Sequence, residues 1–367
     1  MTSEAKPLSH SEVAPLLEPY LLKREAGPSA VVLAVSGGPD SVALMRLAAG
    51  FAAAGRVPVT VATVDHGLRP ESRAEAKTVA AWAAECGFSH RILVWKGRKP
   101  STGLQERARE ARYRLLAGLG AELDASHLLT AHTMDDQAET ILMRLSRGTG
   151  VGGLAGMRAE TPLAGIVLAR PLLAVRKDRL VATCRAQRWP VFDDPANIDP
   201  RFARSRWRKL MPALAAEGLT AERLAALSVR AQRAEDALAS QAAAVLAEAR
   251  LASGKDSVTL NGATLLREPE AILLRVVAAA IVAIAGARTR PVRLDRFEGH
   301  VLGTIRSALA EGGRGKLTLG GALIEIGPDR RIRFSPEPPR PTEVNERRTS
   351  RRRRASFPWQ GGEGHLD

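Results

Sequence analysis

The stretch Ala30-Val31-Val32-Leu33-Ala34-Val35-Ser36-Gly37-Gly38-Pro39-Asp40-Ser41-Val42-Ala43-Leu44-Met45-Arg46-Leu47 sets an apolar run, a glycine pair and a second apolar run in direct succession. The first run is rich in β-branched residues and predicts a buried strand. From Ser41 the apolar residues recur at helical spacing. Glycines at a strand-to-helix turn let the backbone come close to a bound group. The helix start adds unpaired N–H groups and a positive dipole end. Ser36, Gly37, Gly38, Pro39, Asp40 and Ser41 therefore form a candidate phosphate cradle. Ser36 and Ser41 supply hydroxyls, and Asp40 supplies a carboxylate suited to Mg²⁺ or to steering a leaving group. An ordinary tight βα turn is the bland alternative. Two commoner phosphate motifs are excluded: no Lys follows the glycines, and the third glycine of the dinucleotide fingerprint is missing.

Outward from this junction, strand and helix signals alternate. Strands are predicted at 30–35, 58–65, 90–95, 127–132 and 166–170, and helices at 41–54, 71–86, 103–119, 135–147 and 176–188. Such alternation predicts an α/β fold with a doubly wound, mostly parallel sheet. Ligands of such sheets bind at the carboxyl ends of the strands. There stand the glycine loop, then Asp65-His66-Gly67, then His132 through Asp136.

The alternation breaks at 190–212, with the turn signals Asp193-Asp194-Pro195 and Asp199-Pro200. Residues 213–250 are Ala-rich and helical in character. Helices are expected at 268–285 and 294–311, and one or two hairpins at 316–334. The expected organisation is an N-terminal extension over 1–27 and a nucleotide domain over 28–212. A helical and small mixed substrate-recognition region follows over 213–335, then an Arg/Pro-rich disordered tail over 336–367.

The 367 residues carry a net charge of +15, which favours a polyanionic partner, nucleic acid first. Cys86 and Cys184 are the only cysteines and form no Cys-x-x-Cys, arguing against a disulfide framework and against a zinc or iron–sulfur site. No signal peptide is evident, and the most apolar stretch, 276–287, is too short to span a bilayer. The expected compartment is the cytoplasm, with no membrane partner.

Leu128 through Thr140 is the second block of interest. A buried strand delivers His132 to the sheet edge, and Asp135 and Asp136 open a helix where Asp is a favoured cap. Glu139 lies one turn beyond Asp135. Beside a phosphate loop these groups suit binding Mg²⁺, positioning a cationic substrate or taking a proton. Arg144 and Arg147 precede a glycine-rich loop, which suits both a helix C-terminus and contact with phosphate. Arg107, Arg109, Arg112 and Arg114 line a charged helix. The run Arg201–Lys209, with Phe202 and Trp207 interleaved, suits RNA backbone contact; a solvated interdomain linker is the alternative.

Together these blocks resemble the N-type ATP pyrophosphatase (PP-loop) superfamily through Ser36–Ser41, and within it the tRNA(Ile)-lysidine synthase family. The resemblance rests on Val64-Asp65-His66-Gly67-Leu68-Arg69, Arg112-Tyr113-Arg114-Leu115-Leu116, Ala131–Thr140, Arg144–Met157, Arg170-Pro171-Leu172-Leu173 and Trp189–Asp199. It covers roughly residues 28 to 215 and is weaker beyond. It departs at Thr133, where many relatives carry a second His, near Ser205, where relatives often have Asn, and in a short C-terminus. The resemblance implies an adenine nucleotide alpha hydrolase-like fold. It also implies ATP-dependent joining of free L-lysine to C2 of the wobble cytidine of a CAU-anticodon tRNA(Ile), with Mg²⁺ held at Asp40. Asp40, His132, Asp136 and Arg112 become catalytic candidates. Asp65, His66, Asp135, Glu139, Arg144, Arg147, Arg204, Arg206 and Arg208 become substrate-binding candidates, and a homodimer is allowed.

Three rival readings remain. A small-molecule amide synthetase of the NAD or GMP synthetase kind is disfavoured because the chain lacks a Cys-led glutaminase segment and its basicity is unneeded for a small acidic substrate. A PP-loop thiolation enzyme is disfavoured by the two isolated cysteines. A non-catalytic RNA-binding protein with a relict nucleotide fold is disfavoured by the intact loop and the His132, Asp135, Asp136 set.

Overall fold

The computed structural model describes residues 5–22, 29–55, 57–97, 99–100, 102–192, 203–254, 256–286 and 302–338. The chain divides into two compact units, Met1–Arg233 and Ala234–Asp367.

The first unit holds α1 (His10–Leu21), β1 (Val31–Ala34), α2 (Pro39–Gly55), β2 (Val59–Asp65), α3 (Ser72–Glu85) and β3 (Ser89–Val94). It continues with α4 (Leu104–Glu122), β4 (His127–Thr130), α5 (Met134–Leu145), α6 (Val151–Leu154), β5 (Glu160–Leu163) and β6 (Ile166–Ala169). Then come α7 (Lys177–Ala186), α8 (Ala203–Ala216) and the start of α9 (Ala221–Ala249). The sheet runs β3-β2-β1-β4-β6-β5 and is parallel except for the β5–β6 pair. β1 is central and wholly buried, pairing Val31 with Val59 on one side and with His127 on the other. One face packs Val31, Leu33 and Leu129 against α1, α2, α3 and α7. The other packs Val32, Ala34 and Leu128 against Leu116 and Leu119 of α4.

After β3 at one edge, the chain returns to place β4 beside β1. This reversal opens a crevice at the carboxyl ends of β1 and β4, the expected ligand position for such a sheet.

The second unit contains the rest of α9, then β7 (Arg250–Gly254), β8 (Ser257–Asn261), α10 (Gly262–Leu266) and α11 (Glu270–Ala285). It ends with α12 (Gly303–Glu311), β9 (Gly315–Leu319), β10 (Ala322–Ile326) and β11 (Arg331–Pro336). Its antiparallel sheet, β7-β8-β11-β10-β9, buries Ile324, Ile332 and Phe334 against Leu273, Val276 and Val277 of α11.

Two boundaries differ from the sequence reading. The N-terminal segment contributes a core helix: Val13, Leu17 and Leu21 of α1 are buried with the nucleotide-side core. Pro15 and Pro19 inside α1 hide that helix from pattern reading. The first unit also extends to Arg233, past the expected 212, because Ala221 and Leu224 of α9 pack with α5 residues Ala138, Ile141 and Leu142. The expected disordered tail lies outside the described residues, apart from Pro336–Pro338.

Candidate active site

The loop after β1 is built around the Ser41 hydroxyl. Its Oγ accepts from the backbone N–H groups of Ser36 and Gly37, each at 3.2 Å, and donates to Gly38 O at 2.9 Å. The turn needs glycine at 37 for two reasons. Gly37 has φ +90°, and a Cβ there would lie 2.4 Å from the Phe192 ring. Phe192 N–H donates to Gly37 O at 2.8 Å and fixes the loop from behind.

Asp40 lies in the first turn of α2, where its carboxylate meets the helix dipole favourably. Its Oδ2 is 2.5 Å from Lys177 Nζ at the start of α7. Its Oδ1 is buried and accepts no hydrogen bond among the described residues. Burial raises the Asp40 pKa, against the lowering pull of Lys177.

α5 presents the second cluster. Thr133 is its N-cap: Thr133 N–H and Oγ1–H donate to Asp136 Oδ2 at 3.0 Å each, and Asp136 N–H returns a bond to Thr133 Oγ1 at 3.3 Å. This reciprocal cap is what the chain makes of position 133. Burial acts to raise the Asp136 pKa, but the Thr133 backbone N–H, His132 and Arg204 together hold it below the usual carboxylate range. His132 donates to or accepts from Thr130 Oγ1 through Nδ1 at 2.9 Å. Burial, together with Arg112, Arg170 and Arg109, pushes its pKa down to about 3, so the imidazole is neutral at pH 7. The two carboxylates are thus driven apart, Asp136 toward the ionised form and Asp40 toward protonation, as functional acid pairs are.

α8 supplies the opposite wall. Arg204 Nη1 lies 3.8 Å from Asp136 Oδ1, and Arg208 Nε donates to Glu139 Oε1 at 2.9 Å. Glu139 is 2% exposed and its Oε2 has no hydrogen-bond partner among the described residues. Arg204 and Arg208 sit one helical turn apart, so the basic run turns one face inward and leaves Arg206 and Lys209 exposed. Arg201 and Phe202 lie outside the described residues.

One cavity of about 510 Å³ gathers Ser36, Gly38, Pro39, Asp40, Ser41, Arg112, His132, Asp136, Lys177, Arg204 and Arg208. No carboxylate among the described residues forms an ion pair with Arg112, which leaves its guanidinium available to an anion.

Other expected site residues are engaged elsewhere. Asp65 accepts from Gly67 N–H at 2.8 Å and Ser72 Oγ at 2.7 Å, shaping the turn into α3. His66 packs edge-on to Trp95. Asp135 Oδ2 accepts from the Lys177 backbone N–H at 2.7 Å, capping α7. Arg144 Nη1 donates to the carbonyls of Gly153 and Gly156 at 3.0 and 2.9 Å, bracing the glycine-rich loop. Arg147 is exposed. Sequence reasoning missed Lys177 and Phe192. Lys177 is one of three cations at a helix start, with Arg176 and Arg179, and its partner lies far away in the chain. The described residues contain no cluster of three or more metal-ligating side chains, and none of their helices is long and apolar enough to cross a membrane.

Comparison with known proteins agrees with this geometry. Residues 9–214 match the PP-loop domain family. The chain is 53% identical to a tRNA(Ile)-lysidine synthase of Methylobacterium nodulans, covering 93% of this chain and 99% of that protein. It is 46% identical to the tRNA(Ile)-lysidine synthase of Bradyrhizobium sp. BTAi1, covering 91% and 96%. A solved U34-tRNA thiolase, NcsA from Methanococcus maripaludis with its 4Fe–4S cluster, superposes with a TM-score of 0.51 at 16% identity over 63% of this chain and 88% of that one, a likeness of fold alone. The near full-length identities reach well beyond a shared nucleotide domain, and the chain belongs to the tRNA(Ile)-lysidine synthase family of PP-loop enzymes.

Proposed function

We propose that this enzyme joins free lysine to C2 of the wobble cytidine of a CAU-anticodon tRNA(Ile), using ATP and releasing pyrophosphate and AMP. The observation that carries this reading is the convergence of the Ser41-centred loop, Asp40 with Lys177, His132, Asp136 and Arg112 on one cavity.

In the first step the cytidine C2 oxygen attacks the α-phosphorus of ATP. The bond from that phosphorus to the bridging oxygen breaks, and pyrophosphate leaves with the electron pair. The backbone of Ser36–Ser41 and the α2 N-terminus hold the phosphates, while Arg112 and Lys177 offset developing charge. In the second step the lysine amine attacks C2, the C2–O bond breaks, and AMP departs with that oxygen. Adenylation is needed because a carbonyl oxygen leaves poorly and AMP leaves well. Neutral His132, its pKa held at about 3, is too weak a base to keep the proton the amine loses, which passes to water; its imidazole instead offers a hydrogen-bonding nitrogen beside the reacting centre. Of the two acids expected to receive the lysine ammonium, Asp135 is committed to capping α7, whereas one oxygen of Glu139 has no hydrogen-bond partner among the described residues.

Mg²⁺ belongs to this proposal. Oδ1 of Asp40, without a hydrogen-bond partner among the described residues, fits an ion held mainly by nucleotide phosphates and one or two carboxylates. When bound, the ion neutralises phosphate charge. Exposed Arg147 and Arg206, with Arg204 and Arg208, are proposed to meet the tRNA. Whether the working assembly is a monomer or a homodimer is decided by light scattering of the purified protein.

The test is incubation with ATP, labelled lysine and a CAU-anticodon tRNA(Ile) transcript, with elongator methionine tRNA as control. Label incorporated into the first transcript alone, with AMP formed in equal amount, supports the reading. No incorporation by folded protein refutes it.

A further inference from the structure

A second cavity lies on the other flank of α4. It measures about 520 Å³ and is lined by Trp95, Lys99, Pro100, Arg107, Glu110 and Arg114. The reaction cavity takes Leu104, Gln105, Ala108 and Arg112 of the same helix. The two cavities are therefore separated by the body of α4, about 10 Å across. They are also linked along the sheet edge. β1 leads into the phosphate loop, β2 ends at Asp65 with His66 next, and β3 is followed by Trp95, whose N–H donates to Asp65 O at 2.9 Å. His66 meets the Trp95 ring edge-on at 5.9 Å between centroids.

The chemistry of this second cavity is specific. Lys99 Nζ lies 4.0 Å from the Trp95 ring centroid and also donates to the Trp95 carbonyl. Arg107 pairs with Glu110 at 3.0 Å, but both are more than half exposed, so the pair is weakly held. Arg114 is exposed and makes no ion pair among the described residues. An aromatic ring among three cations and one acid, in a cavity of small-ligand size, suits a π-face with a phosphate attached.

We propose that this cavity receives an unpaired nucleotide of the RNA substrate, next to the reacting cytidine in the anticodon loop. Its base packs on Trp95, and its phosphate meets Lys99, Arg107 and Arg114. The proposal rests on the tRNA-modifying reading above and deepens it. RNA loops are recognised by splaying bases onto aromatic and cationic side chains, and this cavity offers both within reach of the reaction crevice.

The experiment uses the full chain, a fluorescent 17-nucleotide CAU anticodon stem-loop, and titrations at several salt concentrations. Trp95→Ala is expected to weaken stem-loop binding about tenfold, Trp95→Phe to retain most of it, and neither to change ATP affinity. Arg114→Gln, an exposed change that spares the fold, is expected to flatten the salt dependence by about one ion. Unchanged affinity in Trp95→Ala together with an unchanged salt slope in Arg114→Gln overturns the proposal. So does a loss of ATP affinity in Trp95→Ala, which places a free nucleotide there instead. If Trp95→Ala fails to fold, the Arg114→Gln salt slope decides alone, an unchanged slope overturning the proposal. Lysidine formation by the wild type is assayed in parallel: its absence refutes the proposed function and this inference together, whereas its presence beside unaffected variants refutes this inference only.

Discussion

Lys177 Nζ stands 2.5 Å from Asp40 Oδ2, across 137 positions of sequence. The contact ties the start of α7 to the phosphate-loop helix α2, and it places beside Asp40 a cation that, together with Arg208, offsets the burial driving that carboxylate toward protonation. Lys177→Met is expected to cost about 2 kcal/mol, less than a fully buried pair because Lys177 is 32% exposed. Asp40→Asn combined with Lys177→Met is expected to recover part of that loss in urea denaturation. Both variants should lose ATP-dependent modification of tRNA. Additive stability losses in the double variant would show that the two groups do not interact.

Asp40→Ala should abolish pyrophosphate release while leaving circular dichroism unchanged. Wild-type-like turnover would refute the role given to Asp40.

Acid should weaken the fold through His132. Its imidazole has a folded pKa of about 3, below the usual 6.5, so it favours the native state fully above pH 6.5. That contribution fades as pH falls toward 3, because the unfolded chain binds the proton first. Asp40 and Glu139, both raised, act in the opposite sense as pH climbs through the carboxylate range. The comparison is therefore between wild type and His132→Gln: urea midpoints at pH 7 and pH 5 should differ more for the wild type.

Arg208→Gln removes the cation facing Glu139, a carboxylate 2% exposed. The expected cost is about 3 kcal/mol, the penalty for stranding a buried charge. Glu139→Gln added to it should restore stability without restoring lysine incorporation. A stable single variant in chemical denaturation would mean that water, and not Arg208, solvates Glu139.

Gly156→Ala tests the brace behind α5. Gly156 has φ +63°, and a Cβ there would lie 2.7 Å from the Gln137 amide. That amide holds Met157 by both backbone groups, at 2.7 and 2.9 Å. The expected loss is about 2 kcal/mol, combining left-handed strain with a displaced hydrogen-bonding group. A melting temperature unchanged from wild type would contradict this.

The first unit was legible because its strands are β-branched, its helices are periodic, and its chemistry sits at strand ends. β1, β2, α2 and α3 all fall within two residues of the expected bounds. β5 escaped because Pro162 reads as a strand breaker, and it survives as an edge strand. β7 escaped because Leu251-Ala252-Ser253-Gly254 continues the small-residue composition of α9. At the site, cap preference alone places Asp135 and Asp136 on one helix start without separating them, and only the family resemblance gives them different roles. The fold separates them, turning Asp135 to the α7 backbone and Asp136 to the cavity. Lys177 was illegible because its meaning lies in a partner that only tertiary structure brings near.

The Phe192 ring occupies the space that any side chain at position 37 would need. The length of the connection from the end of α7 to Phe192 is thereby matched to the curvature of the nucleotide loop. Adding or deleting one residue between Ala186 and Phe192 would slide the ring off its glycine and leave a void behind the triphosphate seat. Natural variation in this connector should therefore be substitution without change of length, even at positions that touch no substrate.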